Sequence, residues 1–164
     1  NDYYSPYYVW EQINHLLPKS KTIWEAFMLG SHLSKSKDNL IELENTVIGD
    51  TTYDFFEMYQ KLEYDIIVSN MPYESNIKKQ ILKKLVEIDK PFIIVMNSAN
   101  IHTNYFNNTF KHVRKHLQII FPRGKLYFEK KVSESKTEVL KKTSFCSVYV
   151  AYKMNIPNEN LFLN

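Results

Sequence analysis

The chain has 164 residues, of which 44% are hydrophobic and 24% charged, and this composition excludes a disordered chain. No apolar run approaches the ~20 residues that a membrane-spanning helix needs, and no basic and then apolar leader opens the chain. We therefore predict one intracellular, cytoplasmic domain over residues 1–164, large enough to bury a hydrophobic core. The single cysteine, Cys146, excludes an internal disulfide and fits a reducing compartment.

The net charge of +3 is unevenly distributed along the chain. Residues 1–110 contain 10 lysines and no arginine against 14 acidic residues, a net charge of −4, whereas residues 111–164 contain 11 basic against 4 acidic residues, a net charge of +7. A basic last third indicates a surface that faces a polyanion, although a solvated lysine-rich surface explains the same counts equally well.

The predicted elements alternate between strands and helices. The first helix has Ser5 as a candidate N-cap and Pro6 at its first position, and it should end at Pro18. In chain order there follow a strand (22–27), a loop with a short helix (28–45), a strand (46–50), a turn with a short helix (51–63), a strand (64–69), an amphipathic helix (75–89) and a strand (91–96).

The last third shows a looser pattern. It predicts a helix (106–116), a strand (117–121), a further strand or edge (125–128), a lysine-rich surface loop (129–143) and a long final strand (144–154). Cys146 would be packed in the core of that final strand. Alternating strands and helices imply an α/β fold with a mostly parallel sheet, covered by helices on both faces.

The segment SNMPY follows the buried strand 64–69, at the sheet edge where such folds bind ligands. The Asn70 oxygen and the Met71 carbonyl can both accept hydrogen bonds from one planar amine, which aims the nitrogen lone pair at an electrophile. Pro72 stiffens the turn, and Tyr73 offers a ring on which a flat base can stack. The alternative is that Asn and Pro merely end a strand, as they often do.

SNMPY resembles the [Asn/Asp/Ser]-Pro-Pro-[Tyr/Phe] motif of S-adenosylmethionine-dependent methyltransferases that modify amino nitrogens, chiefly in adenine. The resemblance spans roughly residues 3–153 and is to small forms without a target-recognition domain, as in some viruses and phages. It implies a Rossmann-like class I fold with an antiparallel last strand, and a location in the host cytoplasm or the virion if the source is viral. Met71 departs from the usual proline, but the group required there is a backbone carbonyl.

Further segments resemble the family in the expected order. SPYY is similar to its Tyr-x-Thr-Pro segment, IWEAF to its Asp-Pro-Phe motif, and the end of TVIGD to the position whose acid binds the cofactor ribose. DFF falls where an acid and an apolar neighbour frame the cofactor adenine. The cofactor-binding residues that the resemblance implies are Tyr4, Ser5, Pro6, Glu25, Phe27, Gly30, Asp50, Asp54 and Phe55.

The family's first motif normally continues Gly-x-Gly, whereas this chain has MLGSH with Gly30 alone. Leu29 stands where a glycine is usual and Ala26 where a proline is usual, so a side chain can narrow the cofactor pocket. This departure supports an alternative hypothesis, a catalytically silent module of the same fold that binds nucleic acid or a protein partner.

Other catalytic patterns are weak or missing. His112 and His116 have the spacing of one helix face, but no third ligand accompanies them, so we predict no metal site. The sequence contains no Gly-x-x-x-x-Gly-Lys-[Ser/Thr] and no Gly-x-Ser-x-Gly, which excludes phosphate-loop and hydrolase-elbow chemistry in their usual forms.

The resulting prediction is an enzyme that moves a methyl group from S-adenosylmethionine to the 6-amino group of adenine in nucleic acid, with DNA favoured over RNA. Asn70, Met71, Pro72 and Tyr73 would form the catalytic segment, and the base must be single-stranded or flipped out of its duplex. Arg123 and Lys125, within the basic segment 111–142, would hold the substrate without reading its sequence. A protein glutamine substrate is a further alternative, and a protein partner subunit is compatible with this prediction, whereas a membrane is not.

Overall fold

The computed structural model describes residues 3–27, 46–48, 52–133, 136–139 and 145–164. The loop and short helix predicted for 28–45 lie outside the described residues, and so do Gly30 and Asp50. No helix in the described ranges combines the length and the apolar character that crossing a membrane requires.

In the described part of the chain, six strands form the main sheet, in the order β3 (Thr46–Ile48), β2 (Ile23–Glu25), β4 (Ile66–Asn70), β5 (Phe92–Asn97), β9 (Ser147–Tyr152) and β6 (Leu117–Ile120). Neighbouring strands from β3 to β5 pair in parallel, and β9 runs antiparallel to both β5 and β6. The predicted α/β class with a mostly parallel sheet and an antiparallel last strand is therefore confirmed.

Helices cover both faces of this sheet. They are α1 Tyr7–Glu11, α2 Thr52–Met58, α3 Ser75–Ile88 and α4 Asn104–Phe110. On one face, Phe55 of α2, Leu82 of α3 and Phe106 of α4 join a core cluster with Trp24. On the other face, Trp10 of α1 packs in a second cluster with strand residues such as Val68 and Tyr149. The strands of the sheet centre are apolar on both sides because both sides are covered.

The longest helix, α3, has clear signals at both ends. The Glu74 carboxylate accepts hydrogen bonds from the backbone N–H groups of Asn76 and Ile77, at 2.9 and 2.8 Å. These bonds satisfy two of the donors that a helix start leaves free. Asp89 ends the helix in the left-handed conformation, with φ of 61°.

A second, smaller sheet corrects one prediction. The segment 129–143 was expected to be a surface loop, but it contains β7 Glu129–Ser133 and β8 Lys136–Val139, which pair antiparallel with a bulge between Lys131 and Ser133. β1 Tyr3–Tyr4 adds to β7 on its other side. Low hydrophobicity misled the prediction, because ladder hydrogen bonds join backbone groups and do not require apolar side chains.

Three element bounds also differ from the predictions. The segment 125–128 was expected to be a strand or edge, but it forms no strand, and its Leu126 and Phe128 are buried by packing. The helix predicted over 106–116 ends at Phe110 and is followed by a turn and a 3-10 turn, Arg114–His116. The first helix is shorter too, with a separate 3-10 turn at Asn14–Leu16 before Pro18.

Two individual residues are placed differently from the predictions. Pro6, and not Ser5, is the N-cap of α1, and the helix starts without a side-chain cap because Ser5 lies one residue too early. Cys146 is exposed, since β9 begins at the next residue. The prediction of a core cysteine was wrong because apolar neighbours do not determine where a strand starts.

The stability of the protein should depend on the protonation of Asp89. Its carboxylate accepts hydrogen bonds from the Lys153 ammonium, at 2.7 Å, and from the Tyr152 hydroxyl, and these partners lower the pKa of Asp89. A carboxyl whose pKa is lower in the folded than in the unfolded state stabilises the fold above its unfolded pKa. This stabilisation is lost as the pH falls through the folded pKa.

We therefore expect Asp89→Asn to lower the free energy of unfolding at neutral pH by at most about 1 kcal/mol, because the pair is exposed. Urea unfolding at a series of pH values would check this, and the difference between the two proteins should vanish under acid conditions. A difference that stays constant across the acidic range would contradict the assignment.

Candidate functional site

The segment Asn70–Tyr73 lies at the carboxyl edge of the parallel strands, fixed by its neighbours on both sides. The Phe27 backbone N–H donates to Ser69 Oγ at 3.1 Å, which joins the end of β2 to β4. The Met71 N–H donates to the Val95 carbonyl of β5 at 2.9 Å. The turn that follows β4 therefore starts from a rigid sheet edge, where open α/β sheets bind ligands.

A small pocket opens at this edge beside Asn70. Its volume is about 10 Å³, which corresponds to roughly one water molecule. All four predicted catalytic residues line it. The lining residues are Asn70, Met71, Pro72, Tyr73, Lys78, Met96, Asn97, Asn100 and Ser147.

Asn70 has an unusual environment for an amide. It is only 5% exposed, and its carboxamide has no hydrogen-bond partner among the described residues. No described residue donates to the Met71 carbonyl either, and Met71 is also buried. The fully enclosed side-chain atoms without a partner do not include those of Asn70, so its carboxamide reaches solvent at the pocket, where it and the Met71 carbonyl are available for a ligand.

The other two amides of the pocket are already committed. Asn97 Oδ1 accepts from the Ala99 N–H at 3.0 Å, and Asn100 Nδ2 donates to the Asn97 carbonyl at 2.8 Å. Asn100 Oδ1 accepts from the Tyr105 hydroxyl. These bonds hold the turn after β5 in place. Asn97 and Asn100 therefore form part of the pocket wall, with their side chains bonded within the protein. Their position could have been found from the sequence, because VMN ends β5 as VSN ends β4.

Lys78 was not among the predicted site residues, yet it lines the pocket from the first turns of α3. Burial lowers the pKa of its ammonium, the neighbouring Lys79 adds to this effect, and Glu74 opposes it. The amphipathic pattern of the helix predicted over 75–89 puts Lys78 on its polar face. The structure brings that part of the face to the pocket, which Pro72 also lines.

The Tyr73 ring packs against a second aromatic residue that sequence reasoning missed. Its centroid lies 5.7 Å from that of Phe145, with a tilt of 58°, and Phe145 in turn lies 5.8 Å from the buried Phe128. Phe145 directly precedes the exposed Cys146 and is far from Tyr73 in sequence. No local pattern in the chain signals this contact.

The predicted cofactor residues near the N-terminus are only partly described. Ser5 is fully buried, and its Oγ has no hydrogen-bond partner among the described residues. Tyr4 is the second residue of β1, with its side chain outside the description, and Pro6 is the N-cap of α1. A buried hydroxyl without a partner is a candidate ligand contact.

Three of the cofactor residues predicted at the end of β2 and in α2 are buried, namely Glu25, Phe27 and Phe55. Glu25 ends β2 and is fully buried, while Phe27 packs edge-on against Phe55 with ring centroids 4.9 Å apart. Phe55 is fully buried and also stacks on Trp24, so the structure gives it a packing role. Asp54 lies in α2, with its side chain outside the description.

Arg123 and Lys125 are not brought to the Asn70 pocket. The Arg123 N–H donates to Gln12 Oε1 at 2.8 Å, and Arg123 lines a separate pocket with Glu11, Glu159 and Phe162. Lys125 is partly buried in the segment that leads to β7.

The two histidines do not share a helix face. His112 lies in the turn after α4, and His116 lies in the following 3-10 turn, edge-on to the Tyr152 ring with centroids 5.8 Å apart. Within the described ranges, no group of three His, Cys, Asp or Glu side chains is arranged to hold a metal ion.

No protein-family model matches the chain, and no curated protein matches it. Among solved structures it is similar to a SAM-dependent O-methyltransferase from Thermotoga maritima, with 13% identity and a TM-score of 0.33. That similarity covers 67% of this chain and 40% of the other, so the chain spans less than half the length of that protein. A likeness this slight does not bear on the activity of the present chain.

Proposed function

We propose that the chain is a methyltransferase that uses S-adenosylmethionine to methylate the 6-amino group of adenine in nucleic acid. The observation that carries this proposal is the pair of unpartnered acceptors at the end of β4. Asn70 is 5% exposed, and neither its carboxamide nor the adjacent Met71 carbonyl has a donor among the described residues. An exocyclic amine offers two N–H groups in one plane, which matches two adjacent acceptors.

Two described features would contribute to a cofactor site, namely Ser5 and the carboxyl end of β2. Ser5 Oγ is a buried hydroxyl without a partner, and Ser5 belongs to the SPYY segment that resembles a cofactor-binding motif. Glu25 and Phe27 lie at the carboxyl end of β2, next to Ser69 of β4. Bound there, S-adenosylmethionine would supply an electrophilic methyl group attached to a positively charged sulfur.

Asn70 and Met71 would act on the amine in two ways. By accepting hydrogen bonds from its two N–H groups, they would fix the orientation of the amine. They would also draw the nitrogen lone pair out of conjugation with the ring, so that the lone pair is free to attack the methyl group. The amine nitrogen would form a bond to the methyl carbon as the carbon–sulfur bond of the cofactor breaks, and it would release one proton to water. This chemistry needs positioning and a suitable dipole more than it needs a strong base.

The pocket must widen before a base can enter, because its present volume of about 10 Å³ holds roughly one water. Tyr73 and Phe145 are suited to form the two walls of a slot for the base, since their ring centroids lie only 5.7 Å apart. A flat base that separates them would gain stacking on both sides. Lys78, also in the pocket wall, would face the phosphates of the extruded nucleotide.

Two measurements test the proposal. Calorimetric titration with S-adenosylmethionine and S-adenosylhomocysteine should show binding of both, and labelled cofactor should transfer its methyl group to single-stranded DNA or RNA that contains adenine. Oligonucleotides without adenine are the matched control. Failure to bind either cofactor form would favour the silent module, and labelling of protein in place of nucleic acid would favour a glutamine substrate.

A further inference from the structure

The part of the chain that forms α4 differs in charge from the rest. Residues 90–128 contain no Asp or Glu, whereas residues 1–89 contain 14 and residues 129–164 contain 4. The same range carries six lysines and arginines. Helix α4 and the turns on either side of it fall entirely within it. The surface that they form therefore has positive charge without a carboxylate of its own, which attracts polyanions.

The outer face of α4 is polar along its whole length. Phe106 and Phe110 are buried in the core cluster, so the opposite side of the helix faces solvent. Amide N–H groups and ammonium groups both donate hydrogen bonds to phosphate oxygens. The exposed residues of this outer face, including the two directly after the helix, are Asn104, Asn107, Asn108, Lys111 and His112.

Lys79 borders the outer face of α4 on the side of α3. Its ammonium lies 5.2 Å from the centroid of the Tyr105 ring. The Tyr105 hydroxyl donates to Asn100 Oδ1, and Asn100 lines the Asn70 pocket. Lys79 is thus two side-chain contacts away from the pocket, and its neighbour Lys78 lines the pocket itself. The basic surface therefore begins at the candidate active site.

Arg114 borders the outer face of α4 on the other side, since its partner Asn107 lies two residues from Tyr105 and nearly opposite it around the helix. Its Nη2 donates to Asn107 Oδ1 at 3.0 Å, and Asn107 Nδ2 donates to the carbonyls of Ile101 and Thr103, at 3.0 and 2.9 Å. These bonds hold the guanidinium against α4, which lowers the entropy lost when it binds a ligand. A guanidinium has five N–H donors, so others are left for a phosphate.

The carboxylates of α3 and its ends do not cancel this charge, because each is engaged elsewhere. Glu87 pairs with Lys84 at 2.8 Å, and Asp89 pairs with Lys153 at 2.7 Å. The Glu74 carboxylate accepts two backbone N–H groups at the start of α3, where the helix dipole offsets its charge. Among the described residues, the surface beside α4 therefore keeps a net positive charge.

We propose that the outer face of α4, bordered by Lys79 and Arg114, binds the phosphates of the nucleic-acid strand that flanks the target adenine. This inference deepens the proposed function and rests on it for its substrate class. The sequence predicts Arg123 and Lys125 in this role, but Arg123 lines a separate pocket together with two glutamates. The contact would be independent of sequence, because it engages phosphates and not base edges.

The test measures binding of fluorescently labelled oligothymidylate by anisotropy, over a series of salt concentrations and without cofactor. For a single strand, each phosphate contact contributes ~0.7 to the slope of log affinity against log salt concentration. Lys79→Gln and Arg114→Gln should each lower the slope by about this amount, and the double variant by roughly 1.4. Both residues are exposed, so the variants should keep the fold, and circular dichroism would verify this.

Lys84→Gln is the matched control. Lys84 also lies on α3, but it pairs with Glu87 and its ammonium lies 5.1 Å from the Tyr59 ring centroid, next to α2. Its substitution should leave the salt slope unchanged. An equal loss of slope in Lys84→Gln would overturn the inference, because the strand would then follow no particular side of α3.

The outcomes separate this inference from the proposed function. Oligothymidylate contains no adenine, so a slope that depends on Lys79 and Arg114 supports the inference even if no methyl transfer is observed. Methyl transfer to nucleic acid with an unchanged slope in the double variant would overturn the inference and leave the proposed function in place. Failure of the wild-type protein to bind oligothymidylate at low salt would overturn it too.

Discussion

Replacing Asn70 by alanine should lower the rate of methyl transfer roughly 10²–10³-fold, with little change in cofactor affinity. The proposed role of the carboxamide is to orient and polarise the amine during the transfer, and a group that acts in the transition state affects kcat more than ground-state binding. The structure supports this role because Asn70 is buried beside the pocket and its amide has no partner among the described residues.

Single-turnover transfer from labelled cofactor, with calorimetry in parallel, measures both quantities. Asn76→Ala is a matched control, since Asn76 is exposed at the start of α3 and does not line the pocket. Asn70→Asp keeps an acceptor oxygen at the same place and should retain more activity than the alanine variant. Full activity in Asn70→Ala would remove the residue from the mechanism and leave Met71 alone as the acceptor.

Replacing Trp24 by alanine should destabilise the fold by about 3–5 kcal/mol, a large part of the ~5–15 kcal/mol that stabilises a typical domain. Trp24 is fully buried in β2, where its ring packs at 5.5 Å from Phe55 and 4.8 Å from Tyr64. Loss of the indole would leave a cavity at the junction of β2, α2 and β4, because packed strands can relax only in part.

Urea denaturation of the two proteins would give this difference in the free energy of unfolding. Trp24→Phe should cost much less, since it keeps an aromatic ring and removes an indole N–H that has no hydrogen-bond partner among the described residues. An alanine variant within about 1 kcal/mol of the wild type would mean that the cluster around Trp24 collapses around the vacancy.

Predictions from the sequence succeeded where one local signal decides the structure. The amphipathic pattern predicts a helix over 75–89, and the observed helix α3 spans Ser75–Ile88. The apolar runs around Val68 and Ile94 predict strands buried on both faces, and both are observed. They failed where pairing decides, as in the lysine-rich hairpin of β7 and β8, because backbone pairing leaves little trace in side-chain polarity.

By itself, the sequence determined the fold class and the place of SNMPY at the end of a buried strand, because apolar periodicity and turn residues act over a few neighbouring positions. Only the tertiary structure decided what surrounds Asn70. It brought Lys78 and Asn97 to the same pocket, set Phe145 against Tyr73, and separated Arg123 from them. The physical reason is that such neighbours are joined by chain crossovers and strand register, which depend on the packing of the whole sheet.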